Sequence, residues 1–387
     1  MTRPRVALVH DWLTGMRGGE RCLEVLCELF PSAPLFTLLH VPGSVSPIIE
    51  DRPIVTSFVQ RLPDAARRYR SYLPLFPAAV RRFDLRGYDL VISLSHCVAK
   101  GVRVPAGALH LSYCFTPMRY VWDLYDDYFG RDAGFGVRVL MPPVAAALRR
   151  WDRRTGSVHH FIAISRHIAD RIRRVYGRVS DVIHPPVDVG RFHVGVPQDF
   201  YLVVSALAPY KRVDLAVAAA TRLGRRLLVV GTGPEEGKLR RLAGPTVEFL
   251  GWRPDAEVAA LYARCRAVLF TALEDFGIVP LEAAAAGRPT VAFGRGGVLD
   301  TMTPLPGMTP GDGGAEPPTA VFYEAQTVDA LAVAIERFEA AERAGRFAPA
   351  ALRARAERFD RPRFQARVHE YVERRWRERG GAERAAC

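Results

Sequence analysis

The 387-residue chain lacks the features that mark membrane-spanning and disulfide-rich proteins. No uninterrupted apolar run approaches the roughly 18 residues typical of a transmembrane helix, and the first five residues lead straight into a strand-like run rather than a signal peptide. The six cysteines form no Cys-x-x-Cys pair and no cluster with histidine, which argues against a zinc site and a disulfide framework. We therefore expect a cytoplasmic protein whose cysteines are mostly small core residues.

Acidic residues are also scarce relative to basic ones. The chain has 41 aspartates and glutamates against 54 lysines and arginines, which gives a formal net charge of +13. Such a charge suits nucleic acid, a membrane surface or a phosphorylated substrate, but the chain has no recognised nucleic-acid-binding module. From Arg61 to Arg86, arginines alternate with aromatic and aliphatic residues, which suits peripheral contact with anionic lipid. A solvated arginine-rich helix explains that pattern equally well.

Strand-like and helix-like segments alternate along the chain. Its length and its 49% of apolar residues suffice for two cores of ordinary size. Alternation on this scale predicts α/β domains with parallel sheets and crossover helices, twice over. The predicted strands are Arg5–His10, Leu90–Leu94, Leu109–Cys114 and His160–Ile164 in the first half, and Phe200–Ser205, Arg226–Val230, Val247–Leu250, Ala267–Phe270 and Thr290–Phe293 in the second.

Prolines mark the predicted domain boundary. The segment from His184 to Pro197 contains consecutive prolines, which stop a strand and stiffen a linker. This divides the chain into domains at residues 1–190 and 191–360, with a cleft between them. Beyond this boundary the sequence predicts a long irregular loop over 303–318, helices over 328–344 and 350–359, a break at Asp360-Arg361-Pro362, and a last helix within 361–387.

The segment from Thr271 to Gly297 carries the strongest functional signal. The apolar run Ala267–Phe270 is predicted to be a strand, and an alanine-rich helix follows it. The residues between the two lie at the carboxyl end of the strand, where open α/β sheets bind ligands. Glu274 lies in that turn and Glu282 in the first turns of the helix. Carboxylates so placed can accept two hydrogen bonds from vicinal hydroxyls, which a ribose or a hexose offers. The structural alternative is a surface turn whose glutamates only stabilise a helix N-terminus by their negative charge.

The surrounding residues favour the functional interpretation. Glu-x-Phe-Gly-Ile-x-Pro-Leu-Glu-Ala, followed by Ala-Gly-Arg-Pro-Thr-Val-Ala and Gly-Arg-Gly-Gly, closely resembles the donor-site motif of retaining glycosyltransferases of family 4. The resemblance covers nearly the whole chain. It implies the GT-B fold, with two Rossmann-like domains facing each other across a cleft and a C-terminal helix, within 361–387, that returns to the N-terminal domain. It also implies that Glu274 holds hydroxyls of the transferred sugar, that Glu282 holds the nucleotide ribose, and that the backbone amides of Phe276, Gly277 and Ile278 line sugar and phosphates.

A second motif follows the first predicted strand. His-Asp-Trp followed by Gly-Gly-Glu resembles the first loop of that family, which touches donor phosphate and acceptor. Gly18 and Gly19 would let the backbone approach a ligand at a helix start. A Gly-Gly pair alone more often marks only a tight turn.

A third motif opens the second domain, where Ser205 to Asp214 follows a strand. Lys211 matches the family's phosphate lysine, and a compact cation suits a diphosphate whose negative charge grows as the sugar leaves. The arginine often found five residues earlier is Ala206 here, so Lys211, with Arg212 as a second cation, must hold the phosphates.

Two further turns would border the nucleotide base by the same resemblance. They contain Gly231 and Gly233, and Trp252 and Arg253. The glycine turn is a weak dinucleotide fingerprint, because its third glycine is one residue late. No Asp-x-Asp occurs in the chain, which removes the usual metal clamp of the other major glycosyltransferase fold. We therefore expect metal-independent transfer without a cofactor.

The acceptor side is less defined by the sequence. The segment His110–Asp123 resembles bacterial mannosyltransferase-like members, in which a histidine commonly precedes Thr-Pro. That position is Phe115, which cannot relay a proton. The predicted acceptor-side residues are His10, His96, Phe115 and Arg119. Candidates for a catalytic base are His10, His96, Asp11 and Asp123, each with a structural role as the alternative.

The resemblance implies a retaining transferase that moves a hexose, with mannose from GDP-mannose preferred, to a hydroxyl of a glycan or lipid-linked precursor. Lys211, Glu274 and Asp11 are the predicted catalytic residues, and contact with the inner face of a membrane is an open alternative to a freely cytoplasmic location. A UDP-sugar donor remains open. So does a nucleotide-sugar-binding subunit without transfer activity, because of Phe115 and Ala206.

Overall fold

The computed structural model describes residues 4–123, 125–130, 134–154, 158–307 and 316–385. The chain divides into two compact units. The first joins Met1–Pro186 to Pro362–Cys387, and the second is Val187–Arg361. Within the described ranges, no helix combines the length and apolarity needed to cross a bilayer.

The described part of the first unit contains a seven-stranded sheet. All its neighbouring strands pair in parallel, in the order β3-β2-β1-β4-β5-β6-β7. The strands are β1 (Val6–His10), β2 (Leu35–Thr37), β3 (Ile54–Thr56), β4 (Leu90–Ser95), β5 (Leu109–Cys114), β6 (His160–Ala163) and β7 (Ser180–Val182).

The helices of the first unit connect these strands. They are α1 (Gly18–Leu29), α2 (Pro47–Glu50), α3 (Ala65–Arg68), α4 (Phe76–Val80), α5 (Tyr125–Phe129), α6 (Phe135–Arg154), α7 (Arg166–Tyr176) and, after the second unit, α15 (Arg361–Ala385). Ser165 caps α7 by accepting a hydrogen bond from the Ile168 amide, and Gly177 ends it in a left-handed conformation.

The described part of the second unit repeats this architecture with six parallel strands in the order β10-β9-β8-β11-β12-β13. The strands are β8 (Tyr201–Val204), β9 (Leu227–Val230), β10 (Val247–Gly251), β11 (Ala267–Phe270), β12 (Thr290–Phe293) and β13 (Ala320–Tyr323). The helices are α8 (Val213–Leu223), α9 (Glu236–Leu242), α10 (Asp255–Arg264), α11 (Ile278–Ala285), α12 (Val298–Thr301), α13 (Val328–Arg343) and α14 (Pro349–Glu357).

The prediction of two parallel-sheet α/β domains is therefore confirmed. The long buried strands were found because both of their faces are covered and their sequences are continuously apolar. The short strands β2, β3 and β7, and also β13, were missed. Three residues are too few to show a period, and β13 follows the predicted loop over 303–318, whose residues 308–315 lie outside the described ranges.

Each sheet reverses its strand order at one point. In the second unit, β8 lies between β9 and β11, so the connections from β8 and from β11 leave on opposite sides. In the first unit the same reversal separates β1 from β4. Open α/β sheets bind ligands beyond the carboxyl ends of strands at such switch points.

The segment from Arg61 to Arg86 is partly buried in the core of the first unit. Several of its large apolar side chains are buried in the first core, and four of them are Tyr69, Leu73, Phe76 and Phe83. These four are therefore unavailable to a membrane. The alternation of arginine and aromatic residues here reflects short helical turns with one buried face.

The last helix, α15, belongs to the first unit, although the whole second unit precedes it in the chain. Tyr371 Oη donates to Asp181 Oδ2 at 2.8 Å, and Arg375 Nη2 lies 2.8 Å from the same oxygen. The Phe364 ring meets Tyr113 edge-on, with ring centroids 5.8 Å apart. α15 is thus fastened to β5 and to the edge strand β7.

A buried ion pair ties three elements of the first unit together. Lys100 Nζ lies 2.8 Å from Asp152 Oδ1, and neither side chain is exposed. Asp152 Oδ2 also accepts hydrogen bonds from Trp122 Nε1 at 2.8 Å and Tyr176 Oη at 2.9 Å. Burial opposes the charge of Lys100, but Asp152, Cys114 and Asp11 together outweigh burial and raise the Lys100 pKa. The pair joins the end of β4 to α6 and α7.

We expect Lys100→Met to destabilise the first unit by about 3–5 kcal/mol, because it leaves a buried carboxylate without its counter-charge. The double variant Lys100→Met/Asp152→Asn should recover part of that loss, since the amide oxygen can still accept from Trp122 and Tyr176. Urea unfolding followed by tryptophan fluorescence measures both. A single variant as stable as the wild type would show that the pair contributes nothing to folding.

Candidate active site

The centre of the site in the second unit is an ion pair at the strand-order switch. Lys211 Nζ contacts Glu274 Oε1, and both side chains are about one-fifth exposed. Lys211 ends the short turn Pro209–Lys211 after β8, and Glu274 lies in the turn after β11. Because β8 and β11 are adjacent and parallel, two residues that are far apart in sequence meet at one edge of the sheet.

The backbone around Lys211 is fixed by two hydrogen bonds that the sequence did not predict. Thr271 Oγ1 donates to the Lys211 carbonyl at 2.9 Å, and Gln326 Nε2 donates to the Thr271 carbonyl at 2.8 Å. Thr271 and Gln326 therefore hold the loop that carries Lys211 (residues 205–212, here called the lysine loop) against the turn after β11. Neither residue lies in a recognisable motif with Lys211, so no local pattern could have identified them.

Glycines allow the turn carrying Glu274 to pack against the loop after β12. The Gly297 amide donates to the Glu274 carbonyl at 2.8 Å. A Cβ atom on Gly296 would lie 2.5 Å from the Glu274 carbonyl oxygen, and one on Gly297 would lie 2.3 Å from Phe276 Cα. Real Cβ contacts are longer than this, so only glycine fits at these two positions. The close packing of the Gly-Arg-Gly-Gly segment therefore sets the position of Glu274.

The amides predicted to line sugar and phosphate lie at the start of α11. Gly277 adopts φ +95°, a left-handed conformation that favours glycine, and α11 begins at Ile278. Phe276 is buried and packs near Phe359, with ring centroids 6.0 Å apart. The first amides of α11 therefore sit beside Glu274, where a helix N-terminus favours negative charge.

Glu282 has a partner that the sequence did not reveal. It lies in α11, and its Oε2 accepts a hydrogen bond from Tyr262 Oη at 3.0 Å. Tyr262 is completely buried on α10. Burial, followed by the Glu282 carboxylate, raises the Tyr262 pKa well above its ordinary value, so the phenol keeps its proton and donates. Tyr262 thus orients the carboxylate predicted to hold a ribose.

Arg212 is engaged locally. Its guanidinium forms two hydrogen bonds to Asp214, at 3.0 and 3.1 Å, and its backbone is left-handed with φ +52°. The hydrogen bonds to Asp214 come first among the effects that raise its pKa. The side chain is therefore held by the first turn of α8, and Lys211 is the cation that meets Glu274.

The turn after β9 packs against the lysine loop. A Cβ atom on Gly231 would lie 1.8 Å from the Ser205 carbonyl oxygen, and one on Gly233 would lie 2.4 Å from that of Leu207. These glycines therefore meet a packing need within the chain, whatever else they contact. Trp252 is 71% exposed, and Arg253 Nε lies 3.5 Å from Glu257 Oε2.

Asp11 in the first unit is a backbone anchor. Its buried carboxylate accepts four hydrogen bonds, from the amides of His96, Cys97, Val98 and Ala99, at 2.6–2.9 Å. Burial acts to raise the Asp11 pKa, but His96, His10, a backbone donor and Lys100 together hold it below its ordinary value. This carboxylate joins β1 to the turn after β4, and it is occupied by donors on both oxygens.

The predicted acceptor-side residues do meet around β1, β4 and β5. The His10 and His96 ring centroids lie 6.0 Å apart, and those of His96 and Phe115 lie 6.4 Å apart. A Cβ atom on Gly19 would lie 3.5 Å from Phe115 and 3.6 Å from His10. Gly18 begins α1 and precedes this contact. Gly19, in the first turn of α1, thus borders the same rings.

The two histidines differ in their surroundings. His10 Nε2 lies 3.4 Å from Glu20 Oε1 and the ring is buried. His96 Nδ1 lies 3.2 Å from Asp11 Oδ2, with about one-fifth of its side chain exposed. Burial lowers the His96 pKa to about 4, with His10 and Arg119 adding to the effect and Asp11 and Glu20 opposing it. His96 is therefore neutral near pH 7, and Arg119 lies close enough to influence it.

Asp123 is the fourth residue predicted as a candidate for the catalytic base. Its carboxylate forms an ion pair with Arg171 of α7. In the described part of the chain, no three histidine, cysteine, aspartate or glutamate side chains are grouped so that they could hold a metal ion.

An apolar pocket of about 340 Å³ lies beside this histidine cluster in the first unit. Trp12 contributes to its lining, and the Trp12 ring meets His96 edge-on, with ring centroids 4.4 Å apart. Leu73, Phe76 and Tyr120 also line it. Several large apolar side chains near the start of α6 are exposed, namely Phe135, Val137, Val139 and Leu140, and of these Val137 also lines the pocket.

Part of the second unit matches a known protein family. Residues 199–339 match the family model described as glycosyl transferases group 1. A GDP-mannose-dependent monoacylated alpha-(1-6)-phosphatidylinositol monomannoside mannosyltransferase from Corynebacterium glutamicum is 32% identical over 179 residues, which cover 38% of this chain and 47% of that protein. A GDP-mannose-dependent alpha-mannosyltransferase from the same species is 26% identical over 287 residues, which cover 69% of this chain and 61% of that protein. The matches thus span about half the length of these relatives.

The architecture matches solved structures over almost the whole chain. The structure of a sucrose-phosphate synthase from Thermosynechococcus elongatus has a TM-score of 0.69 and 16% sequence identity, and the match covers 97% of this chain and 100% of that one. At that identity the likeness establishes the fold alone. The chain has the GT-B fold, and residues 199–339 of its second unit match the model of glycosyl transferases group 1.

Proposed function

We propose that the protein is a retaining glycosyltransferase that moves a hexose from a nucleotide diphosphate donor to a hydroxyl of a glycan or lipid-linked precursor. The observation that carries this proposal is the pairing of Lys211 with Glu274 beside the first amides of α11. A nucleotide sugar has a diphosphate next to sugar hydroxyls. It therefore offers an anion for the lysine and the amides, and donors for the carboxylate.

GDP-mannose is the donor we propose. Two relatives are named as GDP-mannose-dependent mannosyltransferases, and one of them aligns with 69% of the chain. A UDP-sugar is the nearest alternative, because the ion pair and Glu282 address the diphosphate, the sugar and the ribose, which both donor classes share. Trp252 and Arg253 lie in the turn proposed to meet the base.

In the proposed reaction the bond between the anomeric carbon and the diphosphate oxygen breaks, and the acceptor oxygen forms a bond on the same face. Negative charge grows on the departing phosphate, where Lys211 and the α11 amides would stabilise it. The acceptor proton passes to that phosphate. This assignment suits a site in which Phe115 cannot take a proton and the Asp11 carboxylate is occupied by backbone donors. No bound metal is assigned a role.

A lipid-linked acceptor is the class that we propose. The apolar pocket lined by Trp12 and Phe76 adjoins His96, so an acceptor hydroxyl beside the histidines would place a hydrocarbon segment within reach of it. Exposed Phe135 and Leu140 would extend apolar contact outward, which suits peripheral association with a membrane.

A binding subunit without transfer activity is the second candidate. Phe115 and Ala206 favour it, because both replace polar residues of the resembled pattern. Such a subunit would hold the donor yet neither hydrolyse nor transfer it.

We predict that Lys211→Ala lowers turnover by about two orders of magnitude, because it removes the cation that meets developing phosphate charge. The matched control is Lys238→Ala, which removes an exposed lysine paired with Glu235 at 2.8 Å. Initial rates with GDP-mannose at saturating acceptor measure the effect. Near-normal turnover of Lys211→Ala would assign this role to another group.

Nucleotide binding should depend on Glu282. We expect Glu282→Ala to weaken GDP binding by roughly 1.5–3 kcal/mol, the range for hydrogen bonds to a charged group. Tyr262→Phe should weaken GDP binding by less, about 0.5–1.5 kcal/mol, because it only frees the Glu282 carboxylate to reorient. Isothermal titration calorimetry measures both, with exposed Glu336→Ala as control. Unchanged GDP affinity in Glu282→Ala would remove this residue from the site.

The stereochemistry of the product tests the reaction type. We expect the anomeric configuration of the donor to be retained, as NMR of the product would show. Slow hydrolysis of GDP-mannose without acceptor would accompany an intact site. An inverted product would contradict the proposed mechanism, and donor binding with neither hydrolysis nor transfer would favour the binding subunit.

A further inference from the structure

A second pocket, of about 740 Å³, lies in the first unit at the edge of the sheet where β5 begins. The strands start at this edge, whereas the histidine cluster lies where β1, β4 and β5 end. The loop between β4 and β5 and the last turns of α6 form the walls. The pocket is therefore separate from the candidate active site.

Arginines dominate the polar lining of this pocket, and none of its lining residues is acidic. The arginines come from three parts of the chain: the end of α4, the loop before β5, and α6. They are Arg81, Arg103, Arg150 and Arg154. All four are exposed, and four positive charges around one concavity create a positive potential.

These four arginines lack the carboxylate partners that some other arginines of the chain have. Among the described residues, their side chains have no ion pair, hydrogen bond or cation–π contact. By contrast, Arg225 is paired with Glu339, Arg266 with Glu342, and Arg375 with Asp181. A chain with 41 acidic residues has supplied carboxylates to many arginines, but none to this pocket.

The spacing on α6 adds an energetic argument. Arg150 and Arg154 are four residues apart, so they share one face of the helix, where like charges are mutually destabilising. The helix C-terminus favours a cation at Arg154, but it does not account for Arg81 and Arg103 on other elements. An anion bound between them would offset the repulsion.

The rest of the lining fits an organic phosphate. Trp151 and His159 supply ring surfaces between the arginines. Arg178 Nη2 donates to the His159 carbonyl at 3.0 Å, so a further cation borders the site. Burial, then Arg379 and Arg178, lower the pKa of His159, which therefore stays neutral near pH 7. Neutral rings with guanidinium forks suit a phosphate attached to a sugar or base.

We propose that this pocket binds a phosphorylated small molecule through Arg81, Arg103, Arg150 and Arg154. Guanidinium groups bind phosphate oxygens in pairs, and the pocket volume lies within the range of small-molecule sites. Phosphate groups also occur on lipid headgroups, but a concave pocket encloses a soluble ligand better than a flat membrane surface. The proposal does not depend on glycosyl transfer.

The test uses inorganic pyrophosphate as the probe, in the full-length Lys211→Ala protein so that the candidate donor site contributes little. Calorimetry compares this background with Arg150→Gln/Arg154→Gln added, and with the control pair Arg343→Gln/Arg346→Gln, which removes two arginines of the second unit. Arg103→Gln is an independent variant on a different element. Thermal unfolding checks that each variant is folded. Co-sedimentation with phosphatidylglycerol vesicles forms the second arm.

We expect pyrophosphate affinity to fall by roughly tenfold or more in Arg150→Gln/Arg154→Gln, and by a smaller factor in Arg103→Gln, with no change in the control pair. The affinity should also fall as salt rises, because the pocket is open to solvent. Equal affinity in all variants, or no pyrophosphate binding at all, would overturn the proposal. Dependence on these arginines in the vesicle arm only would overturn a soluble ligand and assign them to a membrane surface.

Discussion

Parallel pairing of β8 with β11 is the constraint on which the candidate site depends. Ala267 pairs with Tyr201 and Val268 with Leu202, so the two strands end at the same edge of the sheet. Their following turns then carry Lys211 and Glu274 to one place. Lys211 and Glu274 are far apart in the sequence, and they meet only because the fold brings these two turns together. The pairing of charges is a consequence of sheet order, and sheet order also directs the flanking helices to opposite faces.

Glycines allow the turns at this edge of the sheet to pack closely against one another. The turn after β9 lies against the lysine loop, and the loop after β12 lies against the turn of Glu274, in each case at distances that exclude a Cβ atom. The sequence shows these glycines plainly, but two explanations compete for them: approach to a ligand and approach to another part of the chain. At Gly231, Gly233, Gly296 and Gly297 the second explanation holds within the chain itself. For the amides that follow Gly277 we propose the ligand-facing role.

The sequence was informative where a property is local. Continuous apolar runs predicted the long buried strands, and the turn after Ala267–Phe270 identified Glu274 and Glu282 as residues at a strand end and a helix start. It was uninformative where a partner comes from elsewhere. Tyr262, Thr271 and Gln326 hold site residues through contacts across 20, 60 and 55 positions. Asp11 shows the same limit, because only the fold reveals the four amides that occupy its carboxylate.

The net charge taken from composition does not show where in the structure the charge acts. A value of +13 counts every arginine equally, yet the fold sorts them into different physical roles. Some, such as Arg225 and Arg266, are neutralised by carboxylates that link helices and strands. Others, such as Arg149 and Arg153, lie over the Trp122 ring. The four arginines of the second pocket form an unneutralised set in one concavity at the far edge of the first sheet. Because a field depends on where uncompensated charges lie close together, that pocket is where we propose that the basic composition attracts an anion.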